Sequence, residues 1–256
     1  MTEAGASGAG ASGAGAAEAG AAEAGATGAG ATGAGATGAG AAGAGASGAG
    51  AAGAETADLW DWRRRVADLY AAVRADADPV AAWRRWRAGR DALFRDHPQS
   101  PLEAQARAGF AGLPVFAYDP ALRLPVRLDP FPAAAETVFD AGADGVVRMR
   151  PFARTAGLAS ALGGELVLYW LSGYGGGAFL PFTDATSGRE TYGGGRYLLD
   201  TIKGADLGVD GQGRTVLDFN FAYAPSCAHS PRYVCPLAPA DNRLPRPVRG
   251  GERAPG

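Results

Sequence analysis

Leu59, Trp62, Val66, Leu69, Tyr70 and Val73 recur at steps of three and four residues, with Arg63, Arg64 and Arg65 between them. That spacing predicts an amphipathic helix whose arginines form a solvated face. Asp78-Pro79 supplies an N-cap and a first-turn proline for a second helix, with Val80, Trp83, Trp86, Arg90, Leu93 and Phe94 along one side. Ser100-Pro101-Leu102-Glu103 matches a capping box, in which Glu103 reaches back to the Ser100 amide, and predicts a short third helix through Arg107. Trp60, Trp62, Trp83 and Trp86 share the helical spacing, so packing against a sheet explains them better than an aromatic binding surface.

After Gly112 the period changes. Short runs rich in Val, Leu, Phe and Tyr, separated by Gly, Pro and Asp, cover Pro114 to Tyr118, Leu122 to Leu128, Glu136 to Phe139, Val146 to Phe152, Glu165 to Leu171, Ala178 to Phe182, Arg196 to Asp200 and Val216 to Tyr223. Eight short strands without alternating helices predict antiparallel sheet. From Pro236 onward prolines recur without periodicity, which predicts extended coil wrapped on the domain. The expected fold is therefore α+β: N-terminal helices packed on a mainly antiparallel β-sandwich or barrel, behind a disordered Ala/Gly-rich tail.

That tail occupies residues 1–55. It is almost entirely Ala and Gly in a five-residue unit, clearest as ATGAG at Ala26 to Gly30, Ala31 to Gly35 and Ala36 to Gly40. Without large side chains it cannot bury enough apolar surface to offset the entropy of ordering. Glycine at two of every five positions also costs a helix about 1 kcal/mol each relative to Ala. Met1 and Met149 are the only methionines, which leaves two readings open, a translated flexible tail or a native start near Glu55. Residues 56–256 form one globular domain, with a motif-rich core over 97–253.

The domain carries 24 basic against 22 acidic residues, about +2, which makes no electrostatic case for nucleic acid. No apolar run approaches the roughly 18 residues of a membrane span, and no secretory signal is visible. Two cysteines do not make a disulfide scaffold. The expected location is the cytosol.

Candidate chemistry concentrates between Phe182 and Cys235. Asp184, Thr186 and Ser187 read as a turn that hydrogen-bonds its own amides, followed by Glu190 and by Gly193-Gly194-Gly195, which permit close approach of another chain or a ligand. Arg196 next to Asp184 and Glu190 suits a small anionic molecule, since a guanidinium binds a carboxylate or phosphate through two parallel bonds. Alternatively Arg196 pairs internally with Glu190 or Asp218. Asp218 and Asn220 alternate with Phe219 and Phe221, so a strand would place the two polar residues on one face. If that strand is buried, Asp218 needs a partner, for which Arg196 is the candidate. Neither glycine run matches a phosphate-binding or dinucleotide fingerprint. Cys227, His229 and Cys235 admit three readings: a zinc site lacking a fourth ligand, a Cys–His nucleophile pair, or packed thiols or a local disulfide. His97 beside Pro98 reads as a loop or capping residue.

Four pieces resemble an uncharacterised bacterial group, the domain-of-unknown-function 1684 family. They are His97 to Leu102; Phe182 with Asp184, Thr186 to Gly188, Glu190 to Tyr192 and Gly195 to Tyr197; Asp218 to Asn220 with Ala222 and Tyr223; and Pro225, Cys227, Cys235, Pro236, Pro239, Asn242 to Leu244, Gly251 and Glu252. The match spans about Trp60 to Arg253. Ala224 departs from it, where the family favours Asn, which would weaken a site that used that Asn. The resemblance implies one compact, mostly β domain and no reaction.

The leading expectation is a domain that binds a small polar or anionic molecule at Asp184, Thr186, Ser187, Glu190, Arg196, Asp218 and Asn220. One alternative is a structural or protein-interaction module in which these residues form an internal hydrogen-bond network. A second is a metal- or thiol-dependent site at Cys227, His229 and Cys235. No catalytic residue or cofactor is identified, and neither nucleic acid nor membrane is expected as a partner.

Overall fold

The computed structural model describes residues 45–132, 134–142 and 145–255. Helix α1 (Gly45–Ala75) packs against α2 (Pro79–Asp96), and a single short turn, α3 (Ala104–Ala108), follows. Strands β1 (Arg123–Pro130), β2 (Thr137–Asp140), β3 (Val146–Ala156), β4 (Val167–Ser172), β5 (Gly177–Phe182), β6 (Arg196–Asp200) and β7 (Thr215–Asp218) make one antiparallel sheet, with the four-residue helix α4 (Ala159–Leu162) between β3 and β4.

The strand order is β6-β5-β4-β3-β1-β7, and β2 pairs with β3 off this path. Strand β1 serves two neighbours: Arg123 to Val126 face β7 and Arg127 to Pro130 face β3. Past β7, Tyr223 exchanges both backbone bonds with Tyr197 of β6, at 2.8 and 3.0 Å. That bridge draws the two ends of the sheet together into a nearly closed barrel, the arrangement that leaves fewest unpaired edges.

Two cores follow from period-two alternation. Leu168, Leu180, Phe182, Leu198 and Leu217 fill the barrel with Leu158, Leu166, Phe219, Leu244 and Val248. Val167, Tyr169, Phe179 and Tyr197 face the other way, onto Val66, Tyr70, Val73, Trp83, Trp86 and Leu93 of the helices. The expected face of α2 is the buried one, and Asp78 caps it by accepting from Val80 N at 2.9 Å, with Pro79 in the first turn. Trp83 and Trp86 are core as expected, whereas Trp60 is 66% exposed.

Several local expectations are corrected. Helix α1 starts at Gly45, inside the segment read as a disordered tail. Alanine propagates a helix readily once Val66, Tyr70 and Val73 supply a packed nucleus, so the glycines upstream are tolerated. The part of that expectation covering residues 1–44 lies outside the described residues. The capping box does not form: Ser100 Oγ donates to Phe94 O at 2.6 Å, and Glu103 accepts from Ser230 Oγ at 2.8 Å. Pro114 to Tyr118 is extended chain with one bridge, Val115 to Glu252. Among the described residues no helix is long and apolar enough to cross a membrane.

Candidate functional site

Residues 183–195 fold into a loop that satisfies itself. Asp184 Oδ1 accepts from Thr186 N at 2.7 Å and Ser187 Oγ accepts from Asp184 N at 3.1 Å. The Thr186 and Thr191 hydroxyls bond each other at 2.9 Å, and Thr186 O gathers the amides of Arg189, Glu190 and Thr191. This is the hydrogen-bonding turn that Asp and Thr favour. The loop returns through Gly195, at φ +94°, where a Cβ would lie 2.6 Å from Phe182 O. The close approach that the glycine run permits is therefore made by the chain itself.

Arg196, at the start of β6, is 1% exposed and sits over the Phe182 ring. Its Nη2 donates to Asp184 Oδ2 at 2.8 Å and to Val248 O at 2.9 Å. Its Nη1 donates to Gly250 O and, at 3.3 Å, to Glu252 O. Asp184 Oδ1 also takes Val248 N at 3.2 Å. The pair thus fastens the C-terminal segment 248–252 to the barrel. Burial pulls the guanidinium below its ordinary pKa and Asp184 opposes that; it remains a cation. Glu190, expected near this cation, instead holds Arg249 at 2.9 Å on the surface. Hydrogen bonds from Arg249 keep its carboxyl below the usual range.

Asp218 and Asn220 belong to a second network, which corrects the expectation that Arg196 partners Asp218. Phe219 to Phe221 form a single 3₁₀ turn and not a strand. Asp218 Oδ1 accepts from Asn220 N at 3.0 Å and Nδ2 at 2.8 Å, the local competition by which Asp interrupts a ladder. The turn sends Phe219 into the barrel core and Phe221 into the helix-side core. Asp218 Oδ2 accepts from Tyr118 Oη and Arg123 Nη1, both at 3.3 Å. Asn220 pairs with the backbone of Asp119 in both directions, at 2.9 and 2.8 Å. Burial raises the Asp218 pKa, and the bonds from Asn220 and Arg123 offset only part of that.

Sequence reasoning singled out neither Asn242 nor Glu252 as site residues, and both anchor the same segment. Asn242 is fully buried, donates to Val167 O (2.8 Å) and Pro181 O (2.7 Å), and accepts from Val167 N (2.8 Å). It completes the edge of β4 as a strand residue would. Glu252 accepts from Arg90 Nε at 2.6 Å and from Ala224 N at 2.8 Å. The Arg90 guanidinium lies 4.8 to 5.5 Å from the Tyr223, Phe94 and Trp86 rings, positions at which a cation is attracted to an aromatic face. A charged residue on the apolar face of α2 was the signal for a buried partner. For Asn242 and Glu252 the signal was their place in the family pattern.

The cysteine loop is a third cluster. Cys227 lies in a 3₁₀ turn (Ser226–Ala228), with its Sγ 3.7 Å from the Tyr192 hydroxyl. Both cysteines are free and half-buried. His229 does not join them: it stands edge-on to Phe94 at 4.9 Å, with Nε2 buried and unpartnered, and burial lowers its pKa. Residues two apart share a face in a strand but not in this turn, so Cys227 and His229 do not pair. Among the described residues no group of three His, Cys, Asp or Glu is placed to hold a metal. His97 is pinned through both ring nitrogens, by Asp61 at 3.2 Å and Gln99 N at 3.0 Å.

Two grooves open away from these motifs. A groove of about 640 Å³ between α1 and α2 is lined by Asp61, Leu69, Gly89, Leu93 and His97 among others, and a smaller one of about 160 Å³ by Val73, Arg123, Leu207 and Phe221 among others. Neither is lined by Asp184, Thr186, Ser187, Glu190, Arg196, Asp218 or Asn220.

No curated protein matches the chain. Among solved structures, the chain is similar to the solution NMR structure of an uncharacterized protein of Haloarcula marismortui, at 32% identity over 65% of this chain and 89% of that one, with a TM-score of 0.47. Residues 108–253 match the family model described as a protein of unknown function, DUF1684. With more than half of its length inside that match, the chain belongs to the DUF1684 family.

Proposed function

We propose that the TSGRETYGGGR and DFN motifs are fastenings of the fold, and that this domain acts as a structural or protein-interaction module. The observation that carries this reading is the Arg196 guanidinium, 1% exposed and committed to Asp184 and three main-chain carbonyls. A ligand anion at this position would have to displace Asp184 or lift segment 248–252, and each lost bond to a buried group costs about 1–3 kcal/mol. The interaction half of the proposal needs apolar groups at the surface, and Trp60, Trp170, Tyr174 and Ile202 stand exposed there.

The rival is a small polar or anionic ligand bound at the same motifs. A thermal-shift screen of the full chain against carboxylates, phosphates, sugars and divalent metals separates the two, because a ligand specific to the native state raises the midpoint by mass action. The structural reading expects no compound whose shift disappears in Arg196→Lys or Asp218→Asn. One that does so, with the variant still cooperatively folded, would place a ligand at the motifs and overturn it.

A further inference from the structure

Closing the barrel leaves β2 with a free side. Strand β3 holds β4 along one edge, and β1 and β2 follow each other along the opposite edge, so that Arg148 pairs both with Ser172 of β4 and with Val138 of β2. Among the described residues nothing pairs with the outer edge of β2. The turn after β2 fixes where its main-chain groups point. Ala141 N donates to Gly145 O at 2.7 Å, in line with the register that sets Phe139 opposite Val147. Bonded and non-bonded pairs alternate along an antiparallel ladder. Thr137, Phe139 and Ala141 therefore bond β3, and the N–H and C=O groups of Val138 and Asp140 point outward.

Sheets commonly protect such an edge with lysine, proline, a bulge or a covering segment. Thr137–Asp140 contains no lysine, proline or bulge, and Thr137, Val138 and Asp140 are exposed. Val138 is 55% exposed, and Val146 on the same face is 58% exposed. The two carboxylates that could repel an incoming strand are turned back into the chain. Asp140 Oδ1 accepts from Gly142 N at 2.9 Å. Glu136 accepts from Ser172 Oγ at 3.1 Å and lies 3.8 Å from Arg148.

Resting on the interaction reading above, we propose that β2 pairs antiparallel with β2 of a second copy of this chain, about a two-fold axis at Phe139, so that one sheet runs through both barrels. An axis normal to the sheet keeps each face on its own side, so even-numbered residues face even-numbered ones and odd face odd. Centring the pair on Val138 sets Glu136 opposite Asp140 of the second copy, on both sides of the axis. Centring it on Asp140 sets that carboxylate opposite itself. Like charges directly opposite are destabilising. Centring it on Phe139 opposes no like charges. Val138 and Asp140 then exchange both main-chain bonds with Asp140 and Val138 of the second copy. Phe139 meets its own copy as a non-hydrogen-bonded pair, the closer kind, where aromatic pairs stabilise a sheet. The strand is thus complementary to itself in one register. A single short strand covers less than the about 1,200–2,000 Å² of standard interfaces, so the dimer is a weak and reversible one.

Sedimentation of the full chain from low-micromolar to submillimolar concentration should show monomer passing reversibly into dimer. Over the same range, amide exchange at Val138 N and Asp140 N should slow severalfold, while Phe139 N, bonded within the chain, stays unchanged. Val138→Pro removes only an outward N–H, a position where an edge strand tolerates proline, and should abolish the dimer at an unchanged Tm. Two further variants keep every main-chain bond and read the register. Val138→Asp opposes Asp140 of the second copy and should weaken association, whereas Val138→Lys faces the same carboxylate and should tighten it. A chain that stays monomeric at submillimolar concentration overturns the proposal. So does an assembly larger than a dimer, a dimer that Val138→Pro leaves intact, or a Val138→Lys variant weakened as much as Val138→Asp. Each of these results strikes the β2 edge alone, since the Arg196 fastening is read separately in the ligand screen.

Discussion

Replacing Arg196 with alanine tests the fastening directly. The substitution strands Asp184, whose side chain is fully buried, with only the amides of Thr186 and Val248 as partners. It also strips the carbonyls of Val248, Gly250 and Glu252 of a shared donor. Removing one member of a buried ion pair costs about 3–5 kcal/mol, and each buried carbonyl left without a partner about 1–3 kcal/mol. Water entering the vacated space will satisfy some carbonyls, so the charge sets the floor, at about 4 kcal/mol. For a domain near 200 residues this corresponds to a fall of roughly 8–16 °C in Tm. It is also a large share of a total stability of about 5–15 kcal/mol. Urea unfolding followed by circular dichroism measures the loss. Hydrogen exchange at Glu252 N, which donates to Ala222 O, reports whether the C-terminal segment has lifted. Pairing Arg196→Met with Asp184→Asn should recover part of the loss, because no buried charge is then left alone. A loss below about 1 kcal/mol with the Glu252 amide still protected would refute the reasoning.

Asn242→Ala leaves Val167 N, Val167 O and Pro181 O without their partner and should cost about 3 kcal/mol or more in urea unfolding. Gly251 has φ +75°, and a Cβ there would lie 2.2 Å from Ala222 O, so Gly251→Ala should unfold the domain or lower its Tm by roughly 10 °C or more. Gly109→Ala, with nothing within 4 Å, is the near-neutral control. Burial pushes Glu165 up, but the Thr155 hydroxyl and the amides of Gly157, Ala159 and Leu158 outweigh it and hold the carboxyl below 4.5. Its contribution is therefore present above the unfolded value and disappears as pH falls through the folded one. Urea midpoints should drop with acidification below about pH 4.5, and less steeply in Glu165→Gln.

Periodicity made α2 and the central strands legible, because one face of each is buried against a continuous core. Asp78-Pro79 marked a helix start correctly because the cap involves only neighbours in sequence. The failures share a cause. Ser100 and Glu103 have the spacing of a capping box, but Glu103 takes Ser230, 127 positions along the chain. Alternation from Asp218 to Phe221 is compatible with a strand or a turn, and the Asp218 carboxylate tips it toward the turn by capturing the Asn220 amide. Arg196 was recognisable as a residue needing anionic partners. Choosing Asp184 over Glu190 and Asp218 depends on where segment 248–252 lies, which no local pattern encodes. The Tyr192–Cys227 contact was open for the same reason, since Tyr192 arrives from a different loop.

Arg90 and Glu252 are separated by 162 positions. On a ribosome, at roughly 5–20 residues per second, α2 would wait about 8–30 s for the carboxylate that neutralises its buried cation. Until then the Trp86 face of the helix has no complete surface to close against. The domain thus cannot close fully until segment 248–252 has been made, and the interval is when a chaperone holding the exposed α2 face would matter most.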